Sequence, residues 1–516
     1  MDELNQLTRF RESLCLLFPK RKDAIMNLLD ALTSHGHECR SVVQLSQSPF
    51  FERQYSSITD AIADGLVDAP WDAIRKLSYD LVTAGNQQSI INRFIVDCTG
   101  NRRAFASRLA DRTITHYPNP APGNKPICVG HQYSLVSLLP NDKLVNDKHW
   151  LVPLSAQRVK STEKGNEVGM KKIVQHIKAF GLEDELSISV GDSLYGTLAC
   201  RVAVSQQPNL VHLFRLNSSR NIFRQPTEAS CPKGRKKEFG EKMPLNKPDR
   251  YLPHDRDIEI AQVSKKGKAQ TVIIKSWDNM LLRGSRKYHA SDHPFNALQV
   301  TLYDENGQAV FKRPMWIAVL GERRHEISLI DAYENYRSRY DTEHLFRFQK
   351  NKLLMEAYQT ADVEHEERWW QLCLLAYLQL YLAKDIAPIL PHPWERYLPE
   401  YKNVAQRRVG TPSQTQRGFA KVLAEIGTPA APCVARGKPC GRVVGEEQEK
   451  RPKNPVIFKS KKAVEETKAV IVEDSEKITP NSNLGKISEL IKLVEGQLGE
   501  MKLSAEKFAK MLLDSS

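Results

Sequence analysis

The stretch "INRFIVDCT", residues 91–99, is a β-branched, apolar run that reaches a carboxylate at Asp97. Its length and composition read as a buried strand. Two further strand candidates follow, "HQYSLVSLLP" (131–140) and "HWLVPLSAQRV" (149–159). The segment "GMKKIVQHIKAFG" (169–181) has helical periodicity and a stop at Gly181. "LSISVGDSLYG" (186–196) is a strand ending in Asp192, "YGTLACRVAVSQQ" (195–207) is helical, and "NLVHLFRLN" (209–217) is another strand. Three strands, helix, strand, helix, strand predicts a mixed α/β layer architecture.

Residues 1–88 read as short helices, with apolar residues at spacings of three and four in "LTRFRESLCLLF" and "AIMNLLDAL". They predict an N-terminal helical domain that binds DNA or caps the core. Residues 89–217 are the first part of the core. Residues 218–312 break its pattern with a basic loop and alternating strands, among them "AQTVIIKSW" and "ALQVTLYDENGQAVFK", whose Asn-Gly pair signals a hairpin. This reads as a β-rich insertion. Residues 313–402 resume the core, including "WWQLCLLAYLQLYLA" (369–383), too short for a membrane span and expected as a buried helix. Residues 403–480 read as a basic, largely disordered linker. In 481–516 the apolar residues from Leu484 to Leu512 step by three and four, predicting an amphipathic or coiled-coil helix.

The chain of 516 residues carries a formal charge of +14, which favours a polyanionic partner. Nine cysteines without a C-x-x-C pair suit a reduced, cytoplasmic chain, and the polar N-terminus is unlike a signal peptide. "HGHEC" (35–39) is weak as a zinc motif.

Asp97 and Asp192 each end an apolar strand, where open α/β sheets gather ligands; a lone aspartate there is more often a turn or cap. The stretch "YRSRYDTEHLFRFQK" (336–350) brings a third carboxylate. Read as one helix, it places Tyr336, Arg339, Glu343, Arg347 and Lys350 within about 80° of one another. The bland alternative is a ladder of solvated ion pairs.

The spacing Y-x2-R-x3-E-x6-K, filled by Tyr336, Arg339, Glu343 and Lys350, resembles the signature of bacterial insertion-sequence transposases of the DDE superfamily. "VDCTGN" and "VGDSLYG" resemble the family's two aspartate motifs. The resemblance runs from about residue 40 to about 430. It implies an RNase H-like core and a catalytic, metal-binding triad of Asp97, Asp192 and Glu343. It implies two Mg²⁺ ions, with Mn²⁺ able to substitute, because hard cations take carboxylate oxygens. Arg339 and Lys350 become phosphate contacts, Tyr336 a phosphate contact or a packing residue, and Arg347 a DNA contact outside the motif. His344 is expected to fill space or cap a neighbour. Trp277 is a candidate for holding a flipped base, or a core residue of the insertion. The implied partner is double-stranded DNA, both element ends and target, bound by a homodimer in a bacterial, nucleoid-associated setting without membrane. The implied reaction is strand cleavage at terminal inverted repeats followed by strand transfer. A transposase-derived DNA-binding protein without cutting activity and an RNase H-fold nuclease without strand transfer stay open as alternatives.

Overall fold

The computed structural model describes residues 3–35, 39–84, 91–117, 126–226, 238–264, 267–285, 288–389, 409–434, 443, 445, 447 and 450–458. The heptad-patterned tail and part of the 403–480 segment lie outside these residues.

The opening stretch forms β1 (Asn92–Arg102). Its side chains alternate as a strand requires: Phe94 and Val96 pack into one apolar cluster and Ile95 into the other. β2 (Thr113–His116), unforeseen in the sequence, β3 (Ile127–Leu138) and β4 (Val152–Val159) precede β5 (Ser187–Gly191) and β6 (Leu210–Arg215). β3 runs antiparallel to β1, with β4 antiparallel to β3, while β1, β5 and β6 are mutually parallel neighbours. The order β4-β3-β1-β5-β6 is an RNase H-like sheet.

Helices of the first half are α1 (Glu3–Leu17), α2 (Lys22–Ser34), α3 (Ser56–Asp60), α4 (Trp71–Thr83), the single turn α5 (Lys143–Asn146), α6 (Gly165–Phe180) and α7 (Leu198–Ser205). α6 and α7 make the crossovers that parallel strands need. α6 approaches β1 closely at Gly169, where a Cβ would lie 2.5 Å from Val96 Cγ2. α6 ends at Gly181, whose φ of +73° suits a residue without a side chain.

The segment expected as an insertion does not stand apart. After the short ribbon β7 (Asn221–Phe223) and β8 (Lys242–Pro244), strands β9 (Arg256–Val263), β10 (Ala269–Met280) and β11 (Phe295–Asp304) continue the main sheet through β12 (Met315–Leu320), which pairs antiparallel with β6. The result is one sheet of ten strands. The predicted Asn-Gly turn forms: Gly307 N–H donates to Asp304 O at 3.0 Å. Beyond it the chain makes only a bridge, Tyr303 to Ala309, rather than a return strand.

The second half adds α8 (Leu329–Ser338), α9 (Asp341–Lys352), α10 (Val363–Leu382) and α11 (Pro412–Ile426). α10 is the expected buried helix, with Trp369 and Trp370 fully enclosed. No helix among the described residues is long and apolar enough to cross a membrane. α11 corrects the linker expectation for its part of 403–480. Thr411 and Gln414 form a capping box, Pro412 starts the helix, and Phe419, Val422 and Leu423 are buried. The N-terminal helices share their core with α10 and α11. Arg11, buried on α1, donates to Asp30 Oδ1 and Gln379 Oε1, each at 2.6 Å, tying α1, α2 and α10 together.

A buried carboxylate fastens α10 to the sheet. Glu366 accepts from Arg103 Nε (2.7 Å) and Tyr133 OH (2.8 Å) and pairs with His131 Nδ1 (2.7 Å). Burial works to raise its pKa, but the bonds from His131 and Tyr133 and the Arg103 charge outweigh it and hold the carboxyl down to about 2.

Candidate active site

Strand register brings the two aspartates together. Ile95 of β1 pairs with Val190 of β5 in parallel, so two residues onward Asp192, just past the end of β5, stands level with Asp97, which lies in the middle of β1 rather than at its end because β1 stays paired with β3 as far as Arg102. Asp97 shares the face of Ile95, whose cluster also contains residues of α8 and α9. Asp97 Oδ1 accepts from Cys98 N at 2.8 Å. Asp192 leaves the sheet as the cap of a 3₁₀ turn, its Oδ1 accepting from Leu194 N at 2.8 Å. The following Tyr195 is buried against Gly191, where a Cβ would meet its ring at 2.6 Å. The aromatic and glycines around Asp192 therefore serve to aim the loop.

The third element differs from a single helix. α8 ends at Ser338 and α9 begins at Asp341, joined by Arg339 and Tyr340 in helical conformation. The bonds there run to the third residue back, as in Arg339 N to Tyr336 O (3.2 Å) and Glu343 N to Tyr340 O (3.1 Å). This tightened turn changes the angular spacing from that of a uniform α-helix. It still turns Arg339 to Asp97, with Nη1 3.1 Å from Oδ2.

The charges of Asp192 and Glu343 both act on Asp97. The Asp97 carboxyl is pushed up to about 6. Burial is the main cause, Arg339 and the Cys98 N–H oppose it, and the charges of Asp192 and Glu343 add to the rise. Glu343 itself is exposed. Such a set offers oxygen donors only and carries an internal repulsion that a divalent cation would relieve, so the residues fit hard metal ions.

The remaining predicted residues have distinct surroundings. Tyr336 is buried, 6% exposed, with its hydroxyl near Arg339. Lys350 Nζ donates to Gly100 O at 2.6 Å and pairs with Glu356 Oε1 at 2.7 Å. Arg347 is exposed on α9. Trp277 is placed in the core rather than on an open face. It is 2% exposed, its Nε1 donates to Leu252 O, and its ring lies 5.2 Å from that of Trp316. As positioned it offers no face to a base, because β10 turns it into the cluster behind the sheet. His35 and Cys39 are described, but His37 is not, so the "HGHEC" reading falls partly outside the structure.

One feature went unread in the sequence. A cleft of about 530 Å³ beside Lys350 is lined by Arg40, Arg102, Lys352 and Phe105, among others. Phe105 is fully exposed. The Arg102 and Lys350 cations lie 5.5 and 5.7 Å from the ring centre of Tyr117. The run "NRRAF" directly after the first aspartate motif was the available signal.

A family model described as DDE superfamily endonuclease matches residues 14–276, just over half of the chain. The match contains Asp97 and Asp192 and stops before Glu343. A search of curated proteins returns no match. The chain belongs to the DDE superfamily of endonucleases.

Proposed function

We propose that this DDE superfamily member is a DNA transposase, which cuts DNA at the terminal inverted repeats of its own element and joins the ends to a target. The observation that supports this reading best is that the charges of Asp192, just past β5, and of Glu343, on α9, both act on Asp97 of β1, which also pairs with Arg339. Asp97, Asp192 and Glu343 would together hold two divalent ions. Mg²⁺ suits the donor set best, with Mn²⁺ as a substitute. When bound, such ions activate a water or a 3′-hydroxyl and stabilise the leaving oxygen of an in-line displacement.

The chain's own groups supply positioning. Arg339, charged and beside Asp97, is placed to exchange its carboxylate partner for a phosphate oxygen, for which its planar fork is suited. Lys350 adds a point charge one helical stretch further along α9, and Arg347 an exposed one. Tyr336, hydrogen-bonded to Arg339, helps to hold it in place. The cleft lined by Arg40, Arg102 and Lys352 extends this positive surface and gives the duplex a path past the triad, with Phe105 beside it. In this reading two copies pair on the DNA.

The test is joining. A duplex ending in a free 3′-hydroxyl at the element's terminal repeat is mixed with supercoiled plasmid and divalent metal. Plasmid that carries the labelled end supports a transposase. Nicking without any joined product would reduce the reading to a nuclease, and binding without either would reduce it to a DNA-binding relative.

A further inference from the structure

We propose that His149, Asp341 and His344 form a separate site for a single Zn²⁺ or similar first-row transition ion, which fixes the helix carrying Glu343. Each residue offers one ligand atom, and these atoms all lie within 4.8 Å of one another. Asp341 and His344 are three residues apart at the start of α9, and so share a face of it. His149 comes from the distant loop between α5 and β4. Its Nδ1 is 2.5 Å from Asp341 Oδ1, and its ring stacks on that of His344 at 4.5 Å. The Tyr340 ring packs edge-on against His344 at 5.4 Å, closing one side. The His149 side chain is 31% exposed and that of Asp341 11%, which leaves a path for an ion and room for a water as a fourth ligand.

Backbone conformation agrees with a site held for a purpose. His149 has φ of +60°, a left-handed conformation uncommon for a residue with a side chain. That conformation delivers the imidazole to α9.

Ligand chemistry separates this site from the catalytic one. Two imidazole nitrogens and one carboxylate suit Zn²⁺ and its neighbours, whereas three carboxylates suit Mg²⁺. Glu343 lies between the two α9 ligands in sequence, but about 100° around the helix from His344. An ion on His149, Asp341 and His344 would therefore set the rotation of α9 without touching Glu343. The inference concerns metal binding and does not depend on the reading as a transposase.

The experiment uses the full chain with Asp97→Asn and Glu343→Gln in place, so that the catalytic carboxylates do not compete. After chelator treatment, Zn²⁺ is titrated against a chromophoric competitor, and Co²⁺ is added separately to record its visible ligand-field bands. The expected result is one Zn²⁺ equivalent, a Co²⁺ spectrum of tetrahedral type, and a higher melting temperature with Zn²⁺. Adding His344→Ala or, separately, His149→Asn should weaken binding by about tenfold or more and remove the spectrum. Cys39→Ser should leave the equivalent in place, which distinguishes this site from the "HGHEC" segment. An ion bound equally well after both histidine changes, or no bound equivalent in the starting protein, would overturn the proposal. Melting in chelator shows that each variant is folded.

Discussion

Replacing Asp97 with asparagine should make the metal-free protein more stable. The Asp97 carboxyl sits at about 6 in the folded chain against an ordinary 3.8, because burial and the neighbouring Asp192 and Glu343 charges outweigh Arg339. A folded pKa above the unfolded one means that the folded state resists losing the proton. Stability is therefore full below about pH 3.8, falls as pH rises toward 6, and stays reduced above it. The gap corresponds to about 3 kcal/mol at neutral pH. A fifth of the side chain is exposed, and solvent screening trims this to about 2 kcal/mol. Asparagine keeps an oxygen for Arg339 and removes the charge. The assay is urea unfolding of both proteins in chelator from pH 4 to pH 8. Asp97→Asn should be more stable by about 2 kcal/mol at pH 7.5, with the difference shrinking toward zero near pH 4. In saturating Mg²⁺ the order should move back toward wild type if, as proposed, the native carboxylate set holds the metal. An asparagine variant less stable than wild type at pH 7.5, or a difference that ignores pH, would refute the electrostatic account of the site.

Other outcomes follow from the same structure. Glu366→Gln should cost about 3–5 kcal/mol, because Arg103 is left buried without its counter-charge, as a shift in the urea midpoint will show. The Glu366 carboxyl is held near 2 against an ordinary 4.5, so its contribution of about 3 kcal/mol is full above pH 4.5 and is lost as pH falls toward 2; the Gln variant should lack that part of acid unfolding. Phe105→Ala should weaken DNA binding by about 1–3 kcal/mol if the exposed ring stacks on a base, with unchanged melting; fluorescence anisotropy at fixed salt measures it. Arg102→Gln should instead flatten the salt dependence of binding by about one charge.

Much of this architecture is legible along the chain because it rests on local periodicity. β1, β5 and the helices between the strands follow from alternation and from stops such as Gly181. The levelling of Asp97 with Asp192 is a consequence of parallel register, which two apolar runs each reaching an aspartate already suggest, although β1 continues past Asp97 to Arg102. The rest depends on partners distant in sequence. Nothing in "IEIAQVS" or "AQTVIIKSW" says that β9 and β10 would lengthen the main sheet, since that outcome is set by β12 pairing with β6. The break at Arg339 and Tyr340 carries no proline or glycine to announce it. Trp277 has the composition of a stacking residue, and only its burial against Trp316 and Leu252 places it in the core. His149 meets His344 through a left-handed backbone that no short motif encodes. α11 was hidden by the basic, proline-rich sequence around it, although its Thr411–Gln414 capping box is a local signal.

The central claim is that Asp97, Asp192 and Glu343 act together on DNA through metal. The most direct measurement is cleavage of a DNA fragment spanning the gene and its flanks, in Mg²⁺, by wild type and by Glu343→Gln, with DNA binding measured in parallel. The account predicts metal-dependent cuts at the element ends by wild type, and binding without cuts by the variant. Metal-dependent cleavage that survives Glu343→Gln would contradict it.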